Sequence, residues 1–131
     1  LIPKNFTIHG LWPDKQKTML NYCSSEDEYE DITDIHKLKK LASYWPDLTT
    51  SVVSIKNQGF WKHEFNKHGT CSMELYNQEA YFDLAMKLKD KFDLLRILGD
   101  KGITPRAVRT VKQVETAIKG ITNELPNLNC V

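Results

Sequence analysis

The stretch that most constrains this chain is residues 60–71, Phe60-Trp61-Lys62-His63-Glu64-Phe65-Asn66-Lys67-His68-Gly69-Thr70-Cys71. At about 100° per residue, four of its ionisable side chains fall within an arc of roughly 140° on an α-helix. These four are His63, Glu64, Lys67 and His68. Trp61 and Phe65 lie beside this arc and can anchor the helix to a core. The pattern predicts a short helix over Phe60–His68, ended by Gly69.

A second informative stretch lies near the start of the chain, where apolar and polar residues alternate in Asn5-Phe6-Thr7-Ile8-His9. Such alternation is typical of a half-buried strand. We therefore predict a strand over these residues that turns His9 away from the core. Gly10 permits a sharp change of direction, and Trp12 to Asp14 are typical of a turn.

The rest of the chain predicts three further helices. The first covers Thr33–Trp45, capped by Asp34, with a buried stripe of Ile35, Leu38, Leu41, Ala42 and Trp45. The second covers Gln78–Leu98, with a possible break near Asp90. The third begins at a capping box of Thr110 and Gln113 and ends at Gly120. Residues 48–59 suit a mixed loop, or a short strand at Val52-Val53. Helices with isolated strands indicate an α+β class.

Composition limits the function classes. The chain has 131 residues, which suits one domain over residues 1–131, and 40% of them are hydrophobic, enough for a core. It has no stretch near the ~18 apolar residues of a membrane helix. The net charge of +1 does not indicate a nucleic-acid binder that relies on bulk charge.

The cysteines and one short motif favour an extracellular setting. Cys23, Cys71 and Cys130 are an odd number, so one is free or has its partner outside this chain. Asn5-Phe6-Thr7 is an acceptor sequence for N-glycosylation at Asn5. We expect this chain to be part of a longer secreted protein.

Metal binding is the first chemistry to consider for the histidine-rich segment. His63 and Glu64 begin a pattern similar to the zinc motif H-E-x-x-H, but His68 follows at i+5 instead of i+4. Histidines at that spacing point about 140° apart on a helix, and Lys67 between them would repel a cation. We expect no metal and no cofactor.

Acid–base chemistry fits better. Imidazole titrates near neutral pH, so two histidines can serve as base and acid in one reaction. RNA cleavage needs such a pair, because its 2′-hydroxyl attacks the neighbouring phosphate and the 5′-oxygen must be protonated. Lys67 can stabilise the charge of the transition state, and Glu64 can orient a histidine. His68 requires a partner from another segment; His9 is the natural candidate, while we expect His36 to face solvent.

Two residues of the first motif could contact a base. An exposed Trp12 would stack on it, although core packing is the alternative. Asp14 could accept hydrogen bonds from a base edge, or simply cap the turn.

The segments Phe6–Asp14 and Trp61–Cys71 resemble, in this order, the two active-site segments of the ribonuclease T2 family. Three more segments are similar to the self-incompatibility ribonucleases of flowering plants, in particular the nightshade type. They are Tyr44-Trp45-Pro46-Asp47-Leu48, Gly102-Ile103-Thr104-Pro105 and Leu125-Pro126-Asn127-Leu128-Asn129-Cys130.

The resemblance implies a role for each matching residue. His68 would be the general base and His9 the general acid. Glu64 and Lys67 would stabilise the transition state, and His63 would help to hold the phosphate. Trp12, with Asp14, would bind a base.

The resemblance also implies features beyond the active site. Cys23 would pair with Cys71, Cys130 would pair with a cysteine further along a longer chain, and Asn5 would carry a glycan. The fold would be α+β, with a central antiparallel sheet flanked by helices. The protein would be a secreted, metal-free monomer that acts on RNA, with pollen F-box-type proteins as candidate partners and no membrane association. A phosphate-scavenging or defence ribonuclease, and a catalytically silent RNA-binding relative, are the alternatives.

Overall fold

A computed structural model describes residues 3–16, 18–52 and 54–130. Its elements, in chain order, are β1 (Asp14–Lys15), β2 (Thr18–Met19), α1 (Ile35–Tyr44), α2 (Gly59–Lys67), a 3₁₀ helix (Gly69–Ser72), α3 (Gln78–Lys91), α4 (Leu94–Asp100) and α5 (Val111–Thr122). The predicted α+β class is confirmed. None of the helices in the described residues is long and apolar enough to cross a bilayer.

The chain forms two compact units, Leu1–Leu88 and Lys89–Val131. Each has its own core. The single catalytic domain expected over residues 1–131 stays a prediction.

The first unit is built on aromatic rings supplied by α2, by α3 and by Trp45, which follows α1. Trp45 and Phe82 are fully buried, with ring centroids 5.3 Å apart. Phe65 and Tyr81 are also buried, with centroids 5.5 Å apart. Aromatic rings bury roughly 150–250 Å² each, so this cluster supplies much of the unit's hydrophobic stabilisation.

Helix α1 confirms the helix expected over Thr33–Trp45. The Asp34 side chain accepts hydrogen bonds from the first-turn amides of His36 and Lys37, and the helix ends before Trp45. Trp45 leaves the helical conformation because it precedes a proline. Ile35 does not join the buried stripe, since 44% of it is exposed.

The second unit is a pair of helices, α4 and α5, packed through Leu98, Ala117 and Ile118. The predicted capping box at the start of α5 is present, and the helix continues to Thr122, two residues beyond the expected end. The long helix expected over Gln78–Leu98 is interrupted at Asp93. The side chain of Asp93 accepts from the amide of Arg96 and thereby starts α4 as a new helix.

The strand predicted over Asn5–His9 is wrong, because this segment pairs with no strand in the part of the chain that the structure describes. Its Ile8 amide donates instead to the Tyr44 carbonyl at the end of α1, at 2.8 Å. The sheet that the described residues form is an exposed two-stranded ribbon, β1 against β2, with Asp14 opposite Met19. A short strand at Val52-Val53 is the alternative to a mixed loop over residues 48–59. Val53 lies outside the described residues.

Candidate active site

Helix α2 carries the histidine-rich segment, and its aromatic residues fix it to the core. Trp61 is buried, and its indole nitrogen donates to the Trp45 carbonyl at 2.7 Å. Phe65 packs one turn further on. The helix ends at Lys67, and His68 closes it by donating its amide to the Glu64 carbonyl.

The backbone at Gly69 passes close to the ring of Phe65. A Cβ at this position would overlap the Phe65 ring, so only glycine lets the chain pass. Helix α2 ends just before this glycine, as the sequence predicted, and the chain then continues as the 3₁₀ helix from Gly69.

Three hydrogen bonds hold the segment that follows Asn5. The Ile8 amide donates to Tyr44, the Trp45 indole donates to the His9 carbonyl at 2.7 Å, and the Tyr81 hydroxyl donates to the Leu11 carbonyl at 2.6 Å. Burial raises the pKa of Tyr81 far above its ordinary value, so the hydroxyl stays protonated and able to donate. The segment is thus positioned by two buried side chains and the backbone at the end of α1, and not by a sheet.

Trp12 and Glu64 join the two motifs. The Trp12 indole nitrogen donates to Glu64 Oε2 at 3.1 Å. Glu64 is only 3% exposed, so this bond satisfies part of a carboxylate that lies in the interior. Gly10 makes the contact possible, because a Cβ there would overlap both Trp12 Nε1 and Glu64 Oε2.

The same indole contacts both histidines of interest. The His68 ring stacks on Trp12 with centroids 5.1 Å apart, and the His9 ring meets Trp12 edge to face at 5.7 Å. His9 Nε2 also lies 3.8 Å from Glu64 Oε1, which is ion-pair distance when the imidazole is protonated. The fold therefore brings His9, Trp12, Glu64 and His68 into one cluster.

The two imidazoles sit in different environments. The His9 side chain is 75% exposed, whereas His68 is 4% exposed beneath the indole. Burial lowers the pKa of His68 below its ordinary value, with Lys67 and His63 acting in the same direction, while Glu64 and a backbone carbonyl oppose the shift. His68 Nδ1 is buried and has no hydrogen-bond partner among the described residues.

The segment Leu20–Cys23, which follows the β1–β2 ribbon, lies beside His68 and the end of α2. Its Tyr22 amide donates to the Lys67 carbonyl at 2.7 Å, and its Leu20 backbone lies near the imidazole, where it opposes the lowering of the His68 pKa. A disulfide between Cys23 and Cys71 ties the loop to the 3₁₀ helix, which confirms the pairing that the resemblance implied. Cys130 is free and exposed.

The remaining predicted residues lie around this cluster. His63 is exposed and Lys67 is half-buried; both act on His68 through charge, and within the described residues neither side chain forms a hydrogen bond or ion pair. Asp14 is exposed on β1, and exposed Asn5 accepts from the amide of Phe6. His36 faces solvent, as expected.

The outer face of α2 is covered by part of the acidic run. Asp27 forms an ion pair with Lys62 and accepts from Asn66 at 2.9 Å. The hydrogen bond from Lys62 lowers the pKa of Asp27. Lys62 is therefore engaged outside the histidine cluster.

The sequence assigned no positioning role to Phe60, Trp45 or Tyr81. Phe60 meets the His9 ring edge to face at 5.9 Å, and Trp45 and Tyr81 hold the backbone beside it. A signal was available, since a buried indole or phenol needs a partner for its polar group. The sequence could not say which carbonyl would be that partner.

The chain belongs to the Ribonuclease T2 family, because the sequence model of that family matches residues 2–131. It is 54% identical over 132 residues to ribonuclease S-7 of Nicotiana alata, covering 98% of this chain and 61% of that protein. This chain thus spans about three fifths of the length of that relative.

Solved structures agree. The gametophytic self-incompatibility associated SF11-RNase of Nicotiana alata matches with a TM-score of 0.83 and 40% identity, over 98% of this chain and 66% of that one. RNase NT in complex with 5′-AMP matches with a TM-score of 0.81 and 30% identity, over 98% of this chain and 64% of that one.

Proposed function

We propose that this protein is a secreted, metal-independent endoribonuclease that cleaves single-stranded RNA by transphosphorylation through a 2′,3′-cyclic phosphate. One observation carries the proposal: two imidazoles from separate motifs contact one indole that is hydrogen-bonded to a buried carboxylate. Family membership and the likeness to a nucleotide-bound relative support it.

The reaction divides between the two imidazoles. Neutral His68 takes the proton of the 2′-hydroxyl, the 2′-oxygen bonds to phosphorus, and the bond from phosphorus to the 5′-oxygen breaks. Protonated His9 gives its proton to that leaving oxygen. The lowered pKa of His68 suits the base, because the imidazole must be neutral to accept a proton. The exposure of His9 suits an acid that meets a leaving group entering from solvent.

Charged side chains beside the two imidazoles would assist the reaction. Glu64 faces His9 at ion-pair distance and so would orient the imidazolium and help to stabilise the transition state through it. The Lys67 ammonium and the His63 imidazole would stabilise negative charge on the phosphate oxygens, as preorganised cations do. A DNA strand would not react, because it lacks the attacking hydroxyl.

Substrate entry requires the indole to move. His68 is 4% exposed under Trp12, whereas Trp12 itself is 57% exposed and so can rotate towards solvent. A nucleobase that stacked on Trp12 would replace the His68 ring as its neighbour. Base stacking contributes about 1–3 kcal/mol, comparable with the single hydrogen bond that the indole would lose. Asp14, two residues further on, would contact the base edge.

The test is substitution of each histidine in turn. We expect His9→Ala and His68→Ala each to lower RNA cleavage at least ~10²-fold, the lower end for acid–base catalysis. His36→Ala is the matched control and should leave the rate unchanged, because His36 lies on the solvent side of α1. The wild-type rate should persist in EDTA. Near-normal cleavage by either alanine variant at the cluster would contradict the proposal.

We also propose that the biological role is that of a pistil ribonuclease in gametophytic self-incompatibility, with pollen F-box-type proteins as partners. The identity to ribonuclease S-7 and the likeness to the SF11-RNase support this role over a phosphate-scavenging or defence role. The protein should accumulate in the style and not in leaf or seed. Equal amounts in all three tissues, measured by immunoblot, would contradict it.

A further inference from the structure

We propose that the second unit carries a phosphate-binding groove for the backbone of single-stranded nucleic acid, formed by Lys101, Arg109 and Lys112. This inference deepens the proposed ribonuclease function and rests on it for its biological meaning. The groove is formed within Lys89–Val131 and uses none of the residues assigned to the reaction.

The groove is a built feature of the helix pair. It has a volume of about 650 Å³ and is lined by α5 from Thr110 to Gly120, with Ile103 and Ala117 forming its apolar part. Polar side chains of α5, including Gln113 and Thr116, complete its wall. A groove with apolar and polar walls can take sugar edges as well as phosphate oxygens.

Arg109 is held in place by backbone contacts. Its guanidinium donates to the Val108 carbonyl at 2.8 Å and to the Gly102 carbonyl at 3.0 Å. These acceptors are neutral, so they fix the side chain without cancelling its charge. A guanidinium fixed in this way loses less conformational entropy when it binds a phosphate.

The charge of the groove is not compensated. In the described part of the chain, Lys101, Arg109 and Lys112 form no ion pair. From Lys101 to Lys112 the sequence has four basic residues and no acidic one. The second unit as a whole has eight basic and five acidic residues, whereas Leu1–Leu88 has ten and twelve. The excess positive charge of the chain is thus concentrated in the unit that carries the groove.

A polyanion fits this arrangement better than a single small anion. Three cationic side chains line one groove whose volume, about 650 Å³, exceeds that of one phosphate, and phosphodiesters repeat along a strand. Such contacts release counterions, so the logarithm of the affinity for a single strand falls linearly with the logarithm of the salt concentration. The slope of this fall is about 0.7 per neutralised phosphate. Three contacts would contribute a slope of about 2.

The experiment uses fluorescence anisotropy to measure how the protein binds a labelled oligothymidylate of twelve nucleotides over a range of salt concentrations. DNA is the probe because it presents the phosphates without the hydroxyl needed for cleavage. We expect the triple variant Lys101→Gln/Arg109→Gln/Lys112→Gln to lower the salt slope by about 2, and Lys101→Gln/Lys112→Gln to lower it by about 1.4. The double variant keeps the carbonyl contacts of Arg109, so it should fold normally.

The control removes the same charge elsewhere. Lys39→Gln/Lys56→Gln/Lys87→Gln replaces three exposed lysines of the first unit and should leave the slope close to wild type. A groove variant whose slope matches wild type, or falls no more than the control, would overturn the proposal.

Cleavage assays separate this inference from the proposed function. Groove variants should raise KM for a twenty-residue RNA and leave cleavage of a dinucleoside phosphate unchanged. A wild type that cleaved no dinucleoside phosphate would refute the ribonuclease proposal, and the anisotropy result would still decide the groove.

Discussion

Substitution of Gly10 by alanine tests the contact that joins the two motifs. The new Cβ would overlap Trp12 Nε1 and Glu64 Oε2, so the hydrogen bond between them, 3.1 Å long, must break or the backbone must shift. A hydrogen bond to a charged group contributes ~1.5–3 kcal/mol, and the carboxylate left behind is 3% exposed. We expect Gly10→Ala to lower the free energy of unfolding by about 2–3 kcal/mol.

The assay is urea denaturation followed by circular dichroism, with kcat on RNA measured in parallel. His9 is the preceding residue, and a displacement of about 1 Å can cost 10²-fold, so kcat should fall at least 10-fold. Gly120→Ala is the matched control: nothing lies near its added Cβ within α5, and removing a helix-interior glycine should stabilise by roughly 0.5–1 kcal/mol. A Gly10→Ala protein with wild-type stability and an unchanged Trp12 indole N–H resonance would refute the reasoning.

Three further predictions follow from the cluster and the disulfide. Because burial lowers the pKa of His68, the folded protein binds fewer protons than the unfolded one below about pH 6.5, and stability should fall as the pH drops from there towards the lowered pKa. In denaturation experiments, the His68→Gln variant should lose less stability than wild type between about pH 7.5 and pH 5. An unchanged pH dependence of stability would contradict this prediction. In a His9→Ala variant, which removes the other imidazole that contacts this indole, the fluorescence of Trp12 should titrate with a midpoint below 6.5, and a midpoint above it would contradict the burial argument. Replacing Cys23 and Cys71 with serine should lower the unfolding free energy by about 4 kcal/mol for a loop with a sequence separation of 48, while Cys130→Ser should change nothing measurable.

Local features of this fold could be predicted because local residues determine them. Asp34 caps α1, and Thr110 with Gln113 starts α5, through hydrogen bonds that span only a few residues. The histidine-rich segment could be predicted as a helix because its aromatic residues Trp61 and Phe65 recur at helical spacing, and both are buried. The disulfide was available only through family resemblance, because three cysteines leave the pairing open.

Long-range contacts could not be predicted. The alternation from Asn5 to His9 suggested a strand, but core groups of other elements, among them the Trp45 indole, take up its backbone. The sequence also gave no sign that Trp12 would cover His68, because stacking depends on where the loop to Cys23 returns. A residue's type predicts its chemistry, whereas its exposure depends on the whole fold.

The proposed division of acid and base roles between the two imidazoles is tested most directly by a substrate with an activated leaving group. Uridine 3′-(4-nitrophenyl phosphate) releases nitrophenolate, which needs no proton, whereas a dinucleoside phosphate releases an alkoxide that does. We expect His9→Ala to be slow on the dinucleoside phosphate and close to wild type on the nitrophenyl ester, and His68→Ala to be at least ~10²-fold slower on both. A His68→Ala protein that cleaves the nitrophenyl ester at the wild-type rate, or a His9→Ala protein that the ester does not rescue, would contradict it.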